Sequence, residues 1–248
     1  MKKYTTLVFS AAMLLFATSF NVSASGGDGI EHSGANINDI ASLQRGAKWF
    51  VNYCLGCHSA SYMRYNRLAE DLDLGEEVVM QNLVYADVKI GDTMDIAMDA
   101  DQAEAWFGNT PPDLSLIGRA RSSDWLFSYL RGFYVDRNGA WNNTVMPDVA
   151  MPHVLWRLQG IQVPVYRQET TESGFTHEVI DHFELGTAGV QSPEEYAETA
   201  RDIAAFLEYL GEPAKLKRKK IGVWVILFLA VFSFITYLLK AEYWRDVH

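Results

Sequence analysis

The two cysteines of this sequence stand three positions apart, in the segment Cys54-Leu55-Gly56-Cys57-His58. Two thiols at this spacing can add to the two vinyl groups of one haem, and the adjacent imidazole is then held against one face of the iron. Each residue type has a function in such a site, because the thiols tether the group and the imidazole nitrogen binds the metal. The motif therefore predicts one covalently attached haem c.

Two other chemistries use closely spaced cysteines. A dithiol oxidoreductase of the thioredoxin type has a strand before the motif and does not need the histidine, whereas the pattern before Cys54 is helical. A zinc site needs more ligands than one thiol pair, so scattered histidines would have to complete it. The haem interpretation is the favoured one of the three.

A haem held by one imidazole has a second axial position, where a thioether raises the reduction potential and blocks small molecules. Met146-Pro147 and Met151-Pro152 lie downstream in loop-like sequence, and their local sequences are equally suitable. Met94 and Met98 have helical spacing and are expected to serve in packing. Three histidines are alternative nitrogen ligands: His153, His177 and His182.

Residues 1–24 have the pattern of a secretory signal peptide. The basic start Met1-Lys2-Lys3 precedes an apolar stretch from Leu7 to Phe20, and the small residues of Val22-Ser23-Ala24 follow. The stretch is short for a membrane span, which disfavours an uncleaved anchor. Cleavage after Ala24 would export the body that follows, residues 25–214.

A second apolar segment, residues 221–239, contains no charged residue. As a helix it would rise about 28 Å, close to the thickness of the hydrocarbon core, so it predicts a membrane anchor with a short cytoplasmic tail, 240–248. Five basic residues precede it, and by the positive-inside rule they favour the cytoplasm, but the signal peptide favours export and takes precedence. We expect this basic cluster to meet anionic lipid headgroups or a partner. It comprises Lys215, Lys217, Arg218, Lys219 and Lys220.

The exported body is strongly acidic. The whole chain has a formal net charge of −10, and residues 25–214 contain 12 Lys and Arg against 29 Asp and Glu. This balance excludes nucleic acid as a partner, because phosphates require clustered basic side chains. Either of two carboxylate runs could steer a basic electron carrier, or serve solubility alone. The first run comprises Asp92, Asp95, Asp99, Asp101 and Glu104, and the second comprises Glu70, Asp71, Asp73, Glu76 and Glu77.

Hydrophobic periodicity predicts a mainly α domain with long loops. One helix is expected from Ile40 to Tyr53, and another from 193 to 210, where a capping box stands at the start. A short helix is expected to be capped by Ser123-Asp124. The section 140–190 has scattered Gly, Pro and short apolar runs and is expected to be irregular. A domain of this kind often needs a bound group at its centre.

Several further motifs occur in order along the chain. They are Arg45-Gly46-Ala47 before the cysteine motif, Pro111-Pro112-Asp113-Leu114-Ser115, Arg119-Ala120-Arg121, Met151-Pro152, and Ala200–Leu207 followed by Glu212-Pro213 and one apolar helix. In this combination the chain resembles the cytochrome c1 family over essentially its whole mature length. The resemblance implies a mainly α, class I-type cytochrome c domain with long loop insertions, followed by one C-terminal transmembrane helix.

The resemblance also implies roles for single residues. It places the two tethers and the proximal ligand, His58, in the cysteine motif, and it makes Met151 the distal ligand. Pro112 would pack near the haem, and Arg121 would approach a haem propionate. Some members carry an additional cysteine pair, which this chain lacks, so packing alone would hold the loop around 140–160.

As a function, the resemblance implies the electron-carrying subunit of a ubiquinol–cytochrome c reductase, with no substrate chemistry of its own. Such a subunit passes electrons from a Rieske iron–sulfur protein to a soluble cytochrome c. It lies beside cytochrome b in a dimeric complex of a bacterial inner membrane, with its haem domain in the periplasm. Two alternatives stay open: a tethered cytochrome c that donates to a terminal oxidase, and an anchored dithiol oxidoreductase without haem. The insert 59–145 and the C-terminal anchor disfavour the former.

Overall fold

The computed structural model describes residues 29–85, 87–171 and 175–246, so the predicted signal peptide lies outside the described residues. The predicted mainly α class is confirmed, with about 47% of the described residues in helices. The helices are α1 Ile40–Tyr53, α2 Tyr65–Asp71, α3 Glu76–Asn82, α4 Ala100–Phe107, α5 Ile117–Ala120, α6 Ser123–Arg131, α7 Trp156–Gln159, α8 Pro193–Gly211 and α9 Ala214–Tyr243. The strands form three antiparallel pairs: β1 Ala60–Arg64 with β2 Thr93–Met94, β3 Phe133–Val135 with β4 Trp141–Asn143, and β5 Gly160–Thr170 with β6 Thr176–Ala188.

The crossing of α1 and α8 is the centre of the domain. A Cβ at Gly46 would lie 2.2 Å from the Asp202 carbonyl oxygen, so only a glycine lets the two backbones approach this closely. The rings of Phe50 and Phe206 pack across the crossing with centroids 5.5 Å apart. Arg45 lies at the edge of this crossing, where its Nε donates to the Asp202 carboxylate at 2.6 Å. The crossing fixes the end of α1, where the cysteine motif begins.

Helix starts follow local capping chemistry. The predicted capping box of α8 is confirmed, since the Ser192 hydroxyl accepts from the Glu195 N–H and the Glu195 carboxylate accepts from the Ser192 N–H. The cap predicted for α6 is wrong by one position. Ser122, and not Ser123-Asp124, accepts from the Trp125 N–H at 3.1 Å.

The expectation that 140–190 is irregular is wrong over most of its length. Strands β5 and β6 form a long two-stranded hairpin that pairs from Gly160 with Ala188 to Thr170 with Thr176. Pro164 interrupts the apolar pattern of β5, and proline is tolerated here because both strands of a two-stranded ribbon are edge strands. The base of the hairpin packs on β3, where the Gln162 amide donates to the Phe133 carbonyl at 2.9 Å.

Helix α9 follows α8 directly. Its segment Ile221–Tyr243 contains an apolar stretch with a mean hydropathy of 2.4, and this stretch is wholly exposed within the chain. Among the described residues this helix is long and apolar enough to cross a membrane. It coincides with the predicted anchor 221–239 and extends it by four residues.

Three residues of the basic cluster form ion pairs with carboxylates of the domain. Lys217 Nζ lies 2.8 Å from Glu70 and 3.5 Å from Asp71, and the hydrogen bond to Glu70 raises the pKa of Lys217. The three pairs are Lys215 with Glu208, Lys217 with Glu70, and Arg218 with Glu212. Three of the five basic residues are therefore paired with carboxylates of the chain itself.

Candidate haem site

One open cleft brings together three motifs that lie far apart in the sequence. Cys54, Cys57 and His58 line it together with Pro112 and Met151. Most of the remaining wall is apolar, and it includes Tyr53, Phe107, Pro111, Ala150, Pro152 and Val154. A cleft with this lining suits a large, flat and mainly apolar group.

The cysteine motif forms the turn that ends α1. Cys54 caps the helix, and its carbonyl accepts from the Cys57 and His58 N–H groups at 3.0 and 2.9 Å. Both thiols are free, Cys54 being buried and Cys57 partly exposed. Burial raises the pKa of the Cys54 thiol to about 12. A thiol buried in this way is a poor redox nucleophile, which disfavours the dithiol alternative to haem.

His58 is held in one orientation by a backbone carbonyl. Its Nδ1 lies 2.8 Å from the Pro112 oxygen and donates to it, which leaves Nε2 with a free lone pair. Burial lowers the pKa of His58, against the smaller opposing effects of the Pro112 hydrogen bond and Asp113, so the ring is neutral at pH 7. A neutral imidazole whose other nitrogen is hydrogen-bonded is the usual form of a metal-binding histidine.

The structure separates the two Met-Pro sites that local sequence left equal. Met151 lines the cleft, and its sulfur lies 3.4 Å from the Tyr129 hydroxyl, which donates to it. Met146 is 47% exposed and lies outside the cleft lining. Its N–H donates to the Asn143 side chain, which fixes the loop before Met151.

Arg121 and Pro112 have different positions relative to the cleft. Pro112 lines it, whereas Arg121 does not and is exposed, with its guanidinium 4.8 Å from the centroid of the Trp125 ring. Trp125 stacks on Tyr129 with centroids 5.0 Å apart. Arg121 is therefore connected to Met151 only indirectly, because Trp125 and Tyr129 lie between them.

Tyr129 was missed as a site residue by sequence reasoning, which predicted only a short helix in this part of the chain. Its hydroxyl reaches Met151, which lies 22 positions later in the chain. Burial raises the pKa of Tyr129 to about 12, so the hydroxyl remains a donor at neutral pH. The one signal in the sequence is the four-residue spacing of Trp125 and Tyr129, which puts both rings on one helix face.

The other ligand candidates lie elsewhere. Met94 is fully buried in strand β2, which confirms its packing role, although its environment is a strand and not a helix. His153 is buried and stacks on Phe133 with centroids 4.8 Å apart. His177 and His182 lie on the exposed hairpin strand β6.

The residues of the cleft fit a haem. They provide two free thiols, an imidazole with one nitrogen fixed by a carbonyl, and a thioether, all bordering one apolar space. This donor set matches covalent attachment and axial ligation of a single haem. A mainly α domain with such a site is a c-type cytochrome.

Comparison with known proteins identifies the family. The model of the Cytochrome C1 family matches residues 32–163 and 184–247, and the chain belongs to this family. It is 47% identical over 240 residues to cytochrome c1 of Allochromatium vinosum, which covers 96% of this chain and 98% of the relative. The resemblance drawn from the sequence motifs is thereby confirmed, and so is haem c as the cofactor.

Two further relatives show the range of the similarity. The chain is 46% identical over 212 residues to a Nitrosomonas europaea protein named ammonia monooxygenase gamma subunit, with 85% of each chain covered. It is 28% identical over 244 residues to cytochrome c1 of Blastochloris viridis, with 84% of this chain and 82% of the relative covered. The family match omits 164–183, so most of the β5–β6 hairpin lies outside the family pattern.

Proposed function

We propose that this chain is the electron-carrying c-type subunit of a cytochrome bc complex, taking electrons from a Rieske iron–sulfur subunit and passing them to a soluble cytochrome c. The observation that carries the proposal is the meeting of His58 and Met151 at one apolar cleft. A haem with an imidazole and a thioether as axial ligands exchanges single electrons and leaves no position for a small molecule. Membership of the cytochrome c1 family supports the same function.

The chain's own residues hold and orient the group. Cys54 and Cys57 tether it, His58 Nε2 and the Met151 sulfur bind the metal, and the Pro112 carbonyl fixes the His58 tautomer. The apolar wall excludes water from the ligands, which favours the state of lower charge. The site therefore tunes an electron carrier and activates no substrate.

The first acidic run is the proposed docking surface for a basic cytochrome c. Asp99, Asp101 and Glu104 are exposed on α4 or at its start, and Phe107 at the end of that helix lines the cleft. Glu70 and Asp71 of the second run lie beside the anchor, where they pair with Lys217. Charge beside the cleft can steer a partner to the haem edge, whereas charge beside the membrane cannot.

The proposed topology places the domain in the periplasm of a bacterium. Helix α9 anchors it in the inner membrane, where its exposed apolar surface would contact lipid and the cytochrome b subunit. The sequence pattern of residues 1–24 supports export.

Copurification tests the proposed complex. The full chain, tagged and extracted from its native membrane in mild detergent, should bring down a b-type cytochrome and a protein with the electron paramagnetic resonance signal of a Rieske cluster. Adding a quinol to this preparation should reduce the c-type haem. Recovery with a haem–copper oxidase and without cytochrome b would instead support the tethered-donor alternative.

The attachment is tested by haem staining after denaturing electrophoresis, in which a covalently bound group migrates with the chain. Cys54→Ala and Cys57→Ala are each expected to weaken retention and lower accumulation, because a tether and the centre of the core are lost together. A double variant that accumulates normally with full haem would contradict the proposed tethers.

A further inference from the structure

Asp113, directly after Pro112, joins two segments of chain that flank the cleft. Its Oδ2 accepts from the N–H and from the hydroxyl of Ser61, each at 2.9 Å, and its Oδ1 accepts from the Ser115 N–H at 2.8 Å. Ser61 lies in β1, three residues after His58. One carboxylate thus ties the segment after His58 to the segment that carries Pro112.

Two more hydrogen bonds fasten the same segments. The Leu114 N–H donates to the Ser59 carbonyl at 2.8 Å, and the Tyr62 N–H donates to the Ser115 hydroxyl at 3.1 Å. Ser115 is only 2% exposed, so this last bond is shielded from water. Five hydrogen bonds therefore connect or shape the segments 59–62 and 112–115, and the Asp113 carboxylate accepts three of them.

The carboxylate of Asp113 is ionised. Burial raises its pKa, but the hydrogen bonds from Ser115 and Ser61 together outweigh burial and hold the pKa below its ordinary value. Hydrogen bonds to an ionised acceptor are about twice as strong as neutral ones. The connection between the two segments is therefore stronger than the other hydrogen bonds alone would make it.

We propose that Asp113 is a positioning residue for the axial histidine, acting through the Pro112 carbonyl on the Nδ1–H of His58. The inference rests on the proposed role of His58 as a haem ligand. A firmly held carbonyl keeps the Nδ1–H···O bond short and makes the imidazole a more basic ligand, which stabilises the ferric state. Loosening Asp113 should therefore raise the reduction potential and let the imidazole plane vary.

Three variants of the holoprotein separate positioning from simple charge. Asp113→Asn removes the charge and replaces one acceptor with a donor that faces the N–H of Ser61 or of Ser115. Ser61→Ala keeps the Asp113 charge and removes one of its hydrogen bonds. Glu104→Gln, the control, removes one charge from neighbouring helix α4, where no hydrogen bond or ion pair is found for this side chain in the described part of the chain.

The measurements are the midpoint potential from a redox titration and the ferric electron paramagnetic resonance spectrum. We expect a higher potential and broadened g-values in Asp113→Asn, and a smaller change of the same sign in Ser61→Ala. A purely electrostatic role predicts the opposite sign for Ser61→Ala, because the carboxylate loses a donor and becomes effectively more negative. That result, or an Asp113→Asn variant that matches Glu104→Gln, would overturn the proposal.

Three further outcomes are distinguishable, and the last two separate the inference from the proposed function. If Asp113→Asn fails to accumulate, Ser61→Ala decides the matter by the sign of its shift. If the wild-type spectrum lacks histidine ligation, the proposed ligand set is wrong and the inference falls with it. If the wild-type spectrum shows histidine and methionine ligation while both variants are unchanged, only the positioning role of Asp113 is refuted.

Discussion

The Tyr129 hydroxyl donates a hydrogen bond to the sulfur of Met151 across 3.4 Å. The bond draws electron density from the thioether that we propose as the distal ligand, and Trp125 holds the Tyr129 ring in place by stacking. A thioether that donates less electron density to the iron favours the ferrous state, so this contact should raise the reduction potential.

Tyr129→Phe keeps the stacked ring and removes only the hydroxyl. We expect a lower midpoint potential with methionine ligation retained, measured by redox titration of the holoprotein. Tyr134→Phe is the matched control, since Tyr134 packs on Phe183 and lies outside the cleft lining. An unchanged or higher potential in Tyr129→Phe would show that the contact does not tune the ligand.

Acid should release the segment that contains His32 and Ser33 from helix α6. Burial raises the pKa of Asp124, but hydrogen bonds from Ser33 and His32 outweigh burial and lower the pKa below 3.8. A carboxylate whose pKa is lower in the folded state stabilises the protein at a pH above its pKa in the unfolded state. This stabilisation is lost as the pH falls through the pKa of the folded state.

Asp124→Asn should therefore cost about 1 kcal/mol of unfolding free energy at neutral pH, a figure reduced for the partial exposure of this side chain. The difference from wild type should shrink as the pH falls through the lowered pKa of the folded state. Thermal unfolding followed by circular dichroism, at neutral pH and along a series of acid pH values, checks this. A difference that persists undiminished in acid would assign the effect to packing or to the helix start.

The approach of α1 to α8 should tolerate no side chain at Gly46. Gly46→Ala would put a Cβ 2.2 Å from the Asp202 carbonyl oxygen and 2.7 Å from Phe206 Cβ. We expect a loss of about 1–3 kcal/mol in unfolding free energy, the usual cost of overpacking a core. Gly91→Ala is the control, because an added Cβ there meets nothing within 4 Å. Equal unfolding midpoints for the two variants would contradict the geometry of the crossing.

Oxidation by a basic soluble cytochrome c should depend on the charges of α4. The bimolecular rate is expected to fall steeply between about 0.01 and 0.15 M ionic strength, where the screening length shrinks from about 30 to 8 Å. Stopped-flow measurements should give a shallower slope for Asp101→Asn combined with Glu104→Gln. The control combines Glu76→Gln with Glu77→Gln in the second acidic run and should keep the wild-type slope. The reverse pattern would move the docking surface to α3.

Local chemistry determined what could be predicted from the sequence. The cysteine motif, the span of α1 and the capping box of α8 each depend on neighbouring residues, and all three are found in the structure. The long β5–β6 hairpin was missed because Pro164 interrupts the apolar pattern of β5. The segment forms a strand only by pairing with β6, which local sequence does not reveal. The predicted approach of Arg121 to a propionate stays a prediction, since the side chain stacks on Trp125 outside the cleft.

The choice between Met146 and Met151 shows most clearly where sequence reasoning ends. Both precede a proline in loop sequence, and no periodicity distinguishes them. The difference is tertiary, because the turn after Asn143 leaves Met146 exposed while Met151 enters the cleft beside Tyr129.

The most direct test of the site is the weak red absorption band that a methionine sulfur gives to ferric haem, recorded for Met151→Leu and Met146→Leu. Leucine preserves apolar volume and removes only the sulfur, so a packing residue should tolerate it at a cost below about 1.5 kcal/mol. We predict that the band disappears in Met151→Leu, with a lower potential and carbon monoxide binding to the reduced haem, and that it persists in Met146→Leu. A band that survives in Met151→Leu would contradict the proposed ligand set, and its loss in Met146→Leu would move the distal ligand five residues toward the N-terminus.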